Sequence, residues 1–207
     1  CNNVETLIIG DGITLLAGLP ISSALKSIAI GSSIASIDNG MFSDFSNLIA
    51  LTLSDNNETY KSYENCIYTK DGKNLITVFG NAAKVTIPDG VTKICDFAFR
   101  GSNLTEVTIP SSVIKIGNSV FSGCNGLISA TIGSGVTEID NYTFENCIKL
   151  TSFVIPNSVT KIANSVFYGC TGLTNVSIPD SVTSIGNSAF YGCSSLTNVI
   201  IPNKITK

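Results

Sequence analysis

Histidine and tryptophan are both absent from the 207 residues, and methionine occurs once. Without histidine there is no Ser–His or Cys–His nucleophile pair, no imidazole base and no imidazole metal ligand. Charge is scarce as well: 13% of residues are Asp, Glu, Lys or Arg, against about 25% in ordinary soluble domains. The net charge of −3 and pI near 4.8 leave no basic footprint for nucleic acid. The 12 Lys and Arg are scattered, so a polybasic membrane contact is unsupported. Long apolar runs are also missing. Mean hydropathy is +0.34, yet no run approaches the roughly 20 residues of a membrane helix. Asp and Glu acid–base pairs stay formally open, but nothing in the pattern selects one. The chain reads as non-enzymatic, with no catalytic residue, metal ligand or cofactor to name.

What the sequence does contain is a repeat. Ile-Pro recurs at Ile87-Pro88, Ile109-Pro110, Ile155-Pro156, Ile178-Pro179 and Ile201-Pro202, with Gly133 and Gly31 replacing proline in two further copies. The period is 23 residues, shortened once to 22 where "RGSNL" replaces a form like "SGCNGL". The best unit, Leu173 to Ser195, reads "LTNVSIPDSVTSIGNSAFYGCSS". Its L-x-x-L-x-L start (Leu173, Val176, Ile178) predicts a strand with one buried face. Pro179 ends that strand because it has no N–H for the ladder. Val182 and Ile185 form a second short β-favouring pair. Asn187 stands where a cap would open a helical turn, from which Phe190 falls inward. Such a unit cannot bury its own apolar face, but stacked neighbours bury it jointly. This period and start are the signature of a leucine-rich repeat solenoid.

The strand register extends back through Val4-Leu7-Ile9, Leu25-Ile28-Ile30, Leu48-Leu51-Leu53 and Ala82-Val85-Ile87. The expected fold is therefore a right-handed coil with a parallel β-sheet on its concave face and a few short helical turns. Residues 1–207 read as one solenoid of about nine coils, most regular over 84–207. Residues 54–83 carry no repeat columns. Asp71-Gly72 between "CIYT" and "NLITVF" signals a hairpin, so 54–83 reads as a β-hairpin excursion from the array. Tyr60, Tyr63 and Tyr68 lie within it, as candidate insert contacts.

The stretch "IPxSVTxIxxxxFxGCxxLTxVxIP", followed from Pro110 to Pro202, resembles the BspA-like branch of leucine-rich repeats. The insert is similar to one that this family also carries, keeping Tyr68, Lys70, Asp71, Gly72 and Leu75, and departing at Asn65 and Cys66. The resemblance implies an extracellular or cell-surface setting and binding of an extracellular protein or glycan. It brings no catalytic residues and fixes no binding positions.

Cys124, Cys147, Cys170 and Cys193 form a column in which Phe45 and Ser22 hold the earlier slots. Phenylalanine cannot stand in for a metal ligand, so the column reads as a structural, inward rung, which free cysteine suits. Equivalent Cβ atoms about 5 Å apart exceed the 3.5–4.5 Å that a disulfide prefers, roughly. Cys66 and Cys95 lie off the column. Free thiols in a surface protein would suit a low-oxygen setting. Cys1 would suit a lipid anchor only with an upstream sequence, and both ends read as cut from something longer.

The outward strand positions give the candidate binding surface: Thr105, Glu106 and Thr108; Ser129 and Thr131; Thr151 and Ser152; Thr174, Asn175 and Ser177; Thr197 and Asn198. The plain reading is a solvated polar sheet. The functional reading is a broad, weakly charged surface for a macromolecule. A glycan would require aromatic platforms, for which Tyr60, Tyr63, Tyr68, Tyr168 and Tyr191 are the candidates. A third reading is a structural spacer in a larger surface protein.

Overall fold

The computed structural model describes residues 3–19, 24–43, 45 and 47–206; Cys1 and Ser22 lie outside them. Longer strands alternate with two-residue ones. Before the insert come β1 (Thr6–Ile9), β2 (Leu15–Leu16), β3 (Ser27–Ile30), β4 (Ser36–Ile37) and β5 (Ala50–Leu53). The insert supplies β6 (Tyr60–Tyr63), β7 (Cys66–Thr69) and β8 (Asn74–Val78). The next coils hold β9 (Lys84–Thr86), β10 (Lys93–Ile94), β11 (Glu106–Ile109), β12 (Lys115–Ile116), β13 (Ser129–Ile132) and β14 (Glu138–Ile139). Then follow β15 (Ser152–Val154), β16 (Lys161–Ile162), β17 (Asn175–Ser177), β18 (Ser184–Ile185) and β19 (Asn198–Val199).

Every pairing outside the insert is parallel and in repeat register, as in Ile28 with Leu51, Val107 with Ala130 and Phe153 with Val176. Apolar residues at these positions turn inward, and their polar neighbours turn out, as the two-residue period of a strand demands. The Ile-Pro strands thus build one sheet face. The short Lys-Ile strands build a second wall, pairing Lys93 with Lys115 and Lys161 with Ser184.

The third wall differs from expectation, for no helix forms among the described residues, and none is therefore long and apolar enough to cross a membrane. The N–H groups that a helical turn would use bond to the next coil instead. Phe97, Ser119, Tyr142 and Ser165 donate to the carbonyls of Asn118, Asn141, Asn164 and Asn187 at 2.9–3.1 Å. Each donor has a φ of 53–60°, the left-handed region, which aims its N–H along the stack. The asparagines cap no helix. Asn164 and Asn141 accept on Oδ1 from the backbone N–H of Asn187 (2.8 Å) and Asn164 (3.1 Å). Phe99, Phe121, Phe144, Phe167 and Phe190 stack behind this wall with ring centroids 5.1–5.6 Å apart, close to the spacing of about 4.8 Å between strands.

The insert departs from the expected excursion. The predicted turn is present, with Gly72 at φ 76° and Asp71 Oδ1 accepting from Thr69 Oγ1 (2.6 Å) and Lys73 N (2.9 Å). A second turn at Glu64-Asn65 joins β6 to β7, so the unit is a three-stranded antiparallel sheet. Ile67 opposes Thr77 and Tyr68 opposes Leu75, leaving Ile76 as the extra residue of a bulge. β8 also joins the solenoid: Leu75, before the bulge, pairs with Ile94 of β10, and beyond it Val78 N donates to Ala98 O at 2.8 Å.

Both faces of this sheet are buried. Cys66, Tyr68, Leu75 and Val78 pack into a core that runs on to Cys193, whereas Tyr60, Ile67, Ile76 and Phe79 pack into a separate core with the first coils. The insert is a septum across the coil. Deleting residues 56–82 should therefore abolish the cooperative thermal transition, not spare the downstream coils. Ile67→Ala should destabilise by about 2–5 kcal/mol, read as a lower midpoint in urea; a change within about 0.5 kcal/mol would mean that the septum is dispensable.

Candidate binding surface

Glu106, Thr108, Ser129, Thr131, Ser152, Asn175, Ser177 and Asn198 are all exposed on the face of the Ile-Pro strands. Glu106 sits beside Ser129 and Thr108 beside Thr131, and Ser152, Asn175 and Asn198 form one row. The threonine column that precedes the strands has a different task. Thr105 is half-buried, and its Oγ1 donates to Ala83 O at 3.2 Å. Thr174 Oγ1 donates to Thr151 O at 2.9 Å. These hydroxyl hydrogens tie coil to coil, which leaves the hydroxyls only as acceptors for a partner. Thr151 and Thr197 occupy the same column and are exposed.

Above β9, β11 and β13 the face is hollowed into a groove of about 660 Å³, floored by Thr86, Glu106, Thr108, Ser129 and Thr131 and edged by Pro88 and Pro110. It continues for about 310 Å³ between β13 and β15, past Ser152 and Val154. These two strands are not hydrogen-bonded to each other. The small Ala130 stands at the core position that Phe153 fills in the next coil, where the Phe153 ring meets Phe144 and Phe167 at 4.9 and 5.0 Å. At its other end the groove shares Pro88 and Asp89 with a cleft of about 440 Å³ against the insert. The three hollows form one trough from the insert to β15. Besides Lys61, Asp71 and Asp89 at the insert end, its charges are Lys84 and Glu106, which are ion-paired with each other. Both are well exposed, so the pair adds little stability but leaves the trough nearly neutral.

Lys84, Pro88 and Asp89 were not among the sequence candidates. Their signal was the strand register: Lys84 stands one coil from Glu106, in the degenerate copy where the leucine is Ala82. The insert tyrosines divide. Tyr63 is 56% exposed, whereas Tyr60 and Tyr68 are 8% and 2% exposed. Tyr60 is thus corrected from contact residue to core, and Tyr68 is buried with one edge on the cleft beside the insert. Tyr60 points its hydroxyl at Ala35 O, 3.4 Å away, and desolvation pushes the ionisation of the Tyr68 phenol well above its ordinary value. Outside the insert, Tyr168 and Tyr191 are exposed and stack on each other at 5.1 Å.

The cysteine column is a hydrogen-bonded ladder. Cys124, Cys147, Cys170 and Cys193 donate Sγ–H to the carbonyls of Phe99, Phe121, Phe144 and Phe167, each in the preceding coil, at 3.0–3.2 Å. Ser102 holds the same slot one coil earlier and lies 3.3 Å from Cys124 Sγ, and Phe45 is buried in its own. Desolvation raises every column thiol, Cys124 to about 11 and Cys170 to about 12. Cys66 and Cys95 are buried and free, and burial raises Cys66 to about 12.

A family model described as BspA type leucine rich repeat region matches in 6 copies, over residues 1–70, 72–171 and 137–207. The chain belongs to this BspA-type leucine-rich repeat family. A leucine rich cell surface protein from Faecalibacterium prausnitzii is 28% identical, with a TM-score of 0.77 over 96% of this chain and 60% of its own. A leucine rich repeat protein from T. pallidum is 32% identical, with a TM-score of 0.58 over 70% of this chain and 69% of its own. The pneumococcal vaccine antigen PcpA, 16% identical with a TM-score of 0.72 over 94% of this chain and 56% of its own, shares the fold. The chain thus spans about 60% of the length of the first of these. No curated protein matches the sequence.

The thiols of this BspA-type array give two predictions. A thiol reagent should leave Cys124, Cys147 and Cys170 unmodified in the native protein and titrate them only after denaturation. Fast native reaction of these three thiols would contradict a buried ladder. Each thiol is neutral when protonated and ionises in the folded state above the unfolded value of 9.0. Their stabilising share is therefore full below about pH 9 and is lost as the pH rises through 11 to 12. Urea midpoints should fall between pH 8 and 10.5, and less steeply in a variant with Cys124, Cys147 and Cys170 changed to alanine.

Proposed function

We propose that the chain is a non-enzymatic, macromolecule-binding module of a secreted or surface-attached protein, used in the manner of an adhesin. The trough carries this reading. It is the part of the exposed surface where the uniform sheet becomes concave, lies open along several coils and meets a segment unlike the repeats. Its floor of short hydroxyl side chains over stiff strands suits a broad contact with little side-chain entropy to lose on binding. Loops and inserts on rigid scaffolds are common carriers of specificity, and this insert forms one end of the trough. The surface setting is supported by family membership and by the Faecalibacterium relative, itself described as a cell surface protein. Extracellular proteins and glycans are the partner classes that fit a nearly neutral trough.

The test is a charge block. Thr108→Lys combined with Thr131→Lys sets two ammonium groups on the floor at exposed positions. Binding of the chain to a panel of matrix proteins and cell-surface glycans should fall at least tenfold, about 1.4 kcal/mol, with an unchanged unfolding midpoint. Undiminished binding would place the contact elsewhere. A chain that bound nothing in the panel would favour a spacer.

A further inference from the structure

The cleft at the insert end of the trough differs chemically from everything else on the array. It lies between the insert and the Pro88–Gly90 turn, and its volume of about 440 Å³ falls in the range of small-ligand sites. Tyr63 lines it with a largely exposed ring. Lys61, Asp71 and Asp89 converge on the same space from an edge strand, a hairpin tip and a solenoid turn. Tyr68 also lines it, with its buried hydroxyl beside Cys66. Gly72 makes room: its missing side chain would begin 2.7 Å from Lys61 Nζ.

These groups select among ligands. One ammonium against two carboxylates repels polyanions such as nucleic acid and sulfated glycans. An aromatic face beside acceptors and donors fits a ring that is apolar on its C–H face and hydroxylated at its rim. We propose that this cleft binds a neutral saccharide unit, stacked on Tyr63, with Asp71 and Asp89 accepting from its hydroxyls and Lys61 donating. The inference rests on the trough being a binding surface, of which the cleft would be the end subsite.

An oligosaccharide array carrying neutral, sialylated and sulfated chains, followed by calorimetry on the strongest neutral binder, tests it. Neutral chains should bind. Tyr63→Ala and Asp89→Asn, both at exposed positions, should each weaken binding at least tenfold, and circular dichroism should be unchanged. Absence of neutral-saccharide binding, a preference for sulfated chains, or affinity unchanged in both variants would overturn the inference. Loss on Tyr191→Ala in place of Tyr63→Ala would also overturn it, moving the site to the Tyr168–Tyr191 stack. If matrix proteins bind and are released by the two trough lysines while no saccharide binds, the cleft inference fails and the trough reading stands.

Discussion

The fold depends on backbone hydrogen bonds that pass from each coil to its neighbours. An unpaired buried N–H or C=O costs about 1–3 kcal/mol, and a coil of 23 residues has few ways to pair its own. The solenoid resolves this on three walls at once. Long strands, two-residue strands and left-handed turns each pass their bonds along the stack, and the side chains follow. The phenylalanines stack because their backbones do, and the cysteines reach the carbonyls of the preceding coil for the same reason. The Asn side chains extend the pattern to groups the backbone leaves over.

The insert shows how such an array tolerates interruption. It keeps the rule by becoming a sheet itself, lending β8 to β10 on one edge and packing apolar side chains on both faces. The core is divided in two, but neither half is left open. The same arrangement shapes the surface. Because the insert stands across the coil next to β9, the Ile-Pro sheet ends there against a wall, and a flat face acquires a closed end. The looser junction between β13 and β15, where Ala130 meets Phe153, extends the hollow at the far side.

The repeat made much of this legible. L-x-x-L-x-L gave the strand register, Ile-Pro its end, and Phe45 in the cysteine slot the inward direction of the thiols. Asn187 misled, because an N-cap asparagine and a ladder asparagine look alike until the neighbouring coil is placed. The insert misled for another reason. Asp71-Gly72 located a turn correctly, but "CIYT" is apolar at consecutive positions, the pattern of a strand covered on both faces. That pattern, more than the tyrosine count, carried the information about burial. The trough was the least legible feature, since it arises where Lys84, Glu106 and the insert meet, and no single repeat contains them all.

The direction of the hydrogen bonds has a consequence of its own. On the strand walls the N–H groups alternate, some donating to the preceding coil, as in Gly117 to Ile94, and others to the following one, as in Ile155 to Ser177. On the turn wall they point to the following coil, as in Ser119 to Asn141. Peptide dipoles on the strand walls therefore largely cancel, whereas those on the turn wall add, as they do in a helix. The turn wall is thus the side of the rod on which aligned peptide groups accumulate as coils are added.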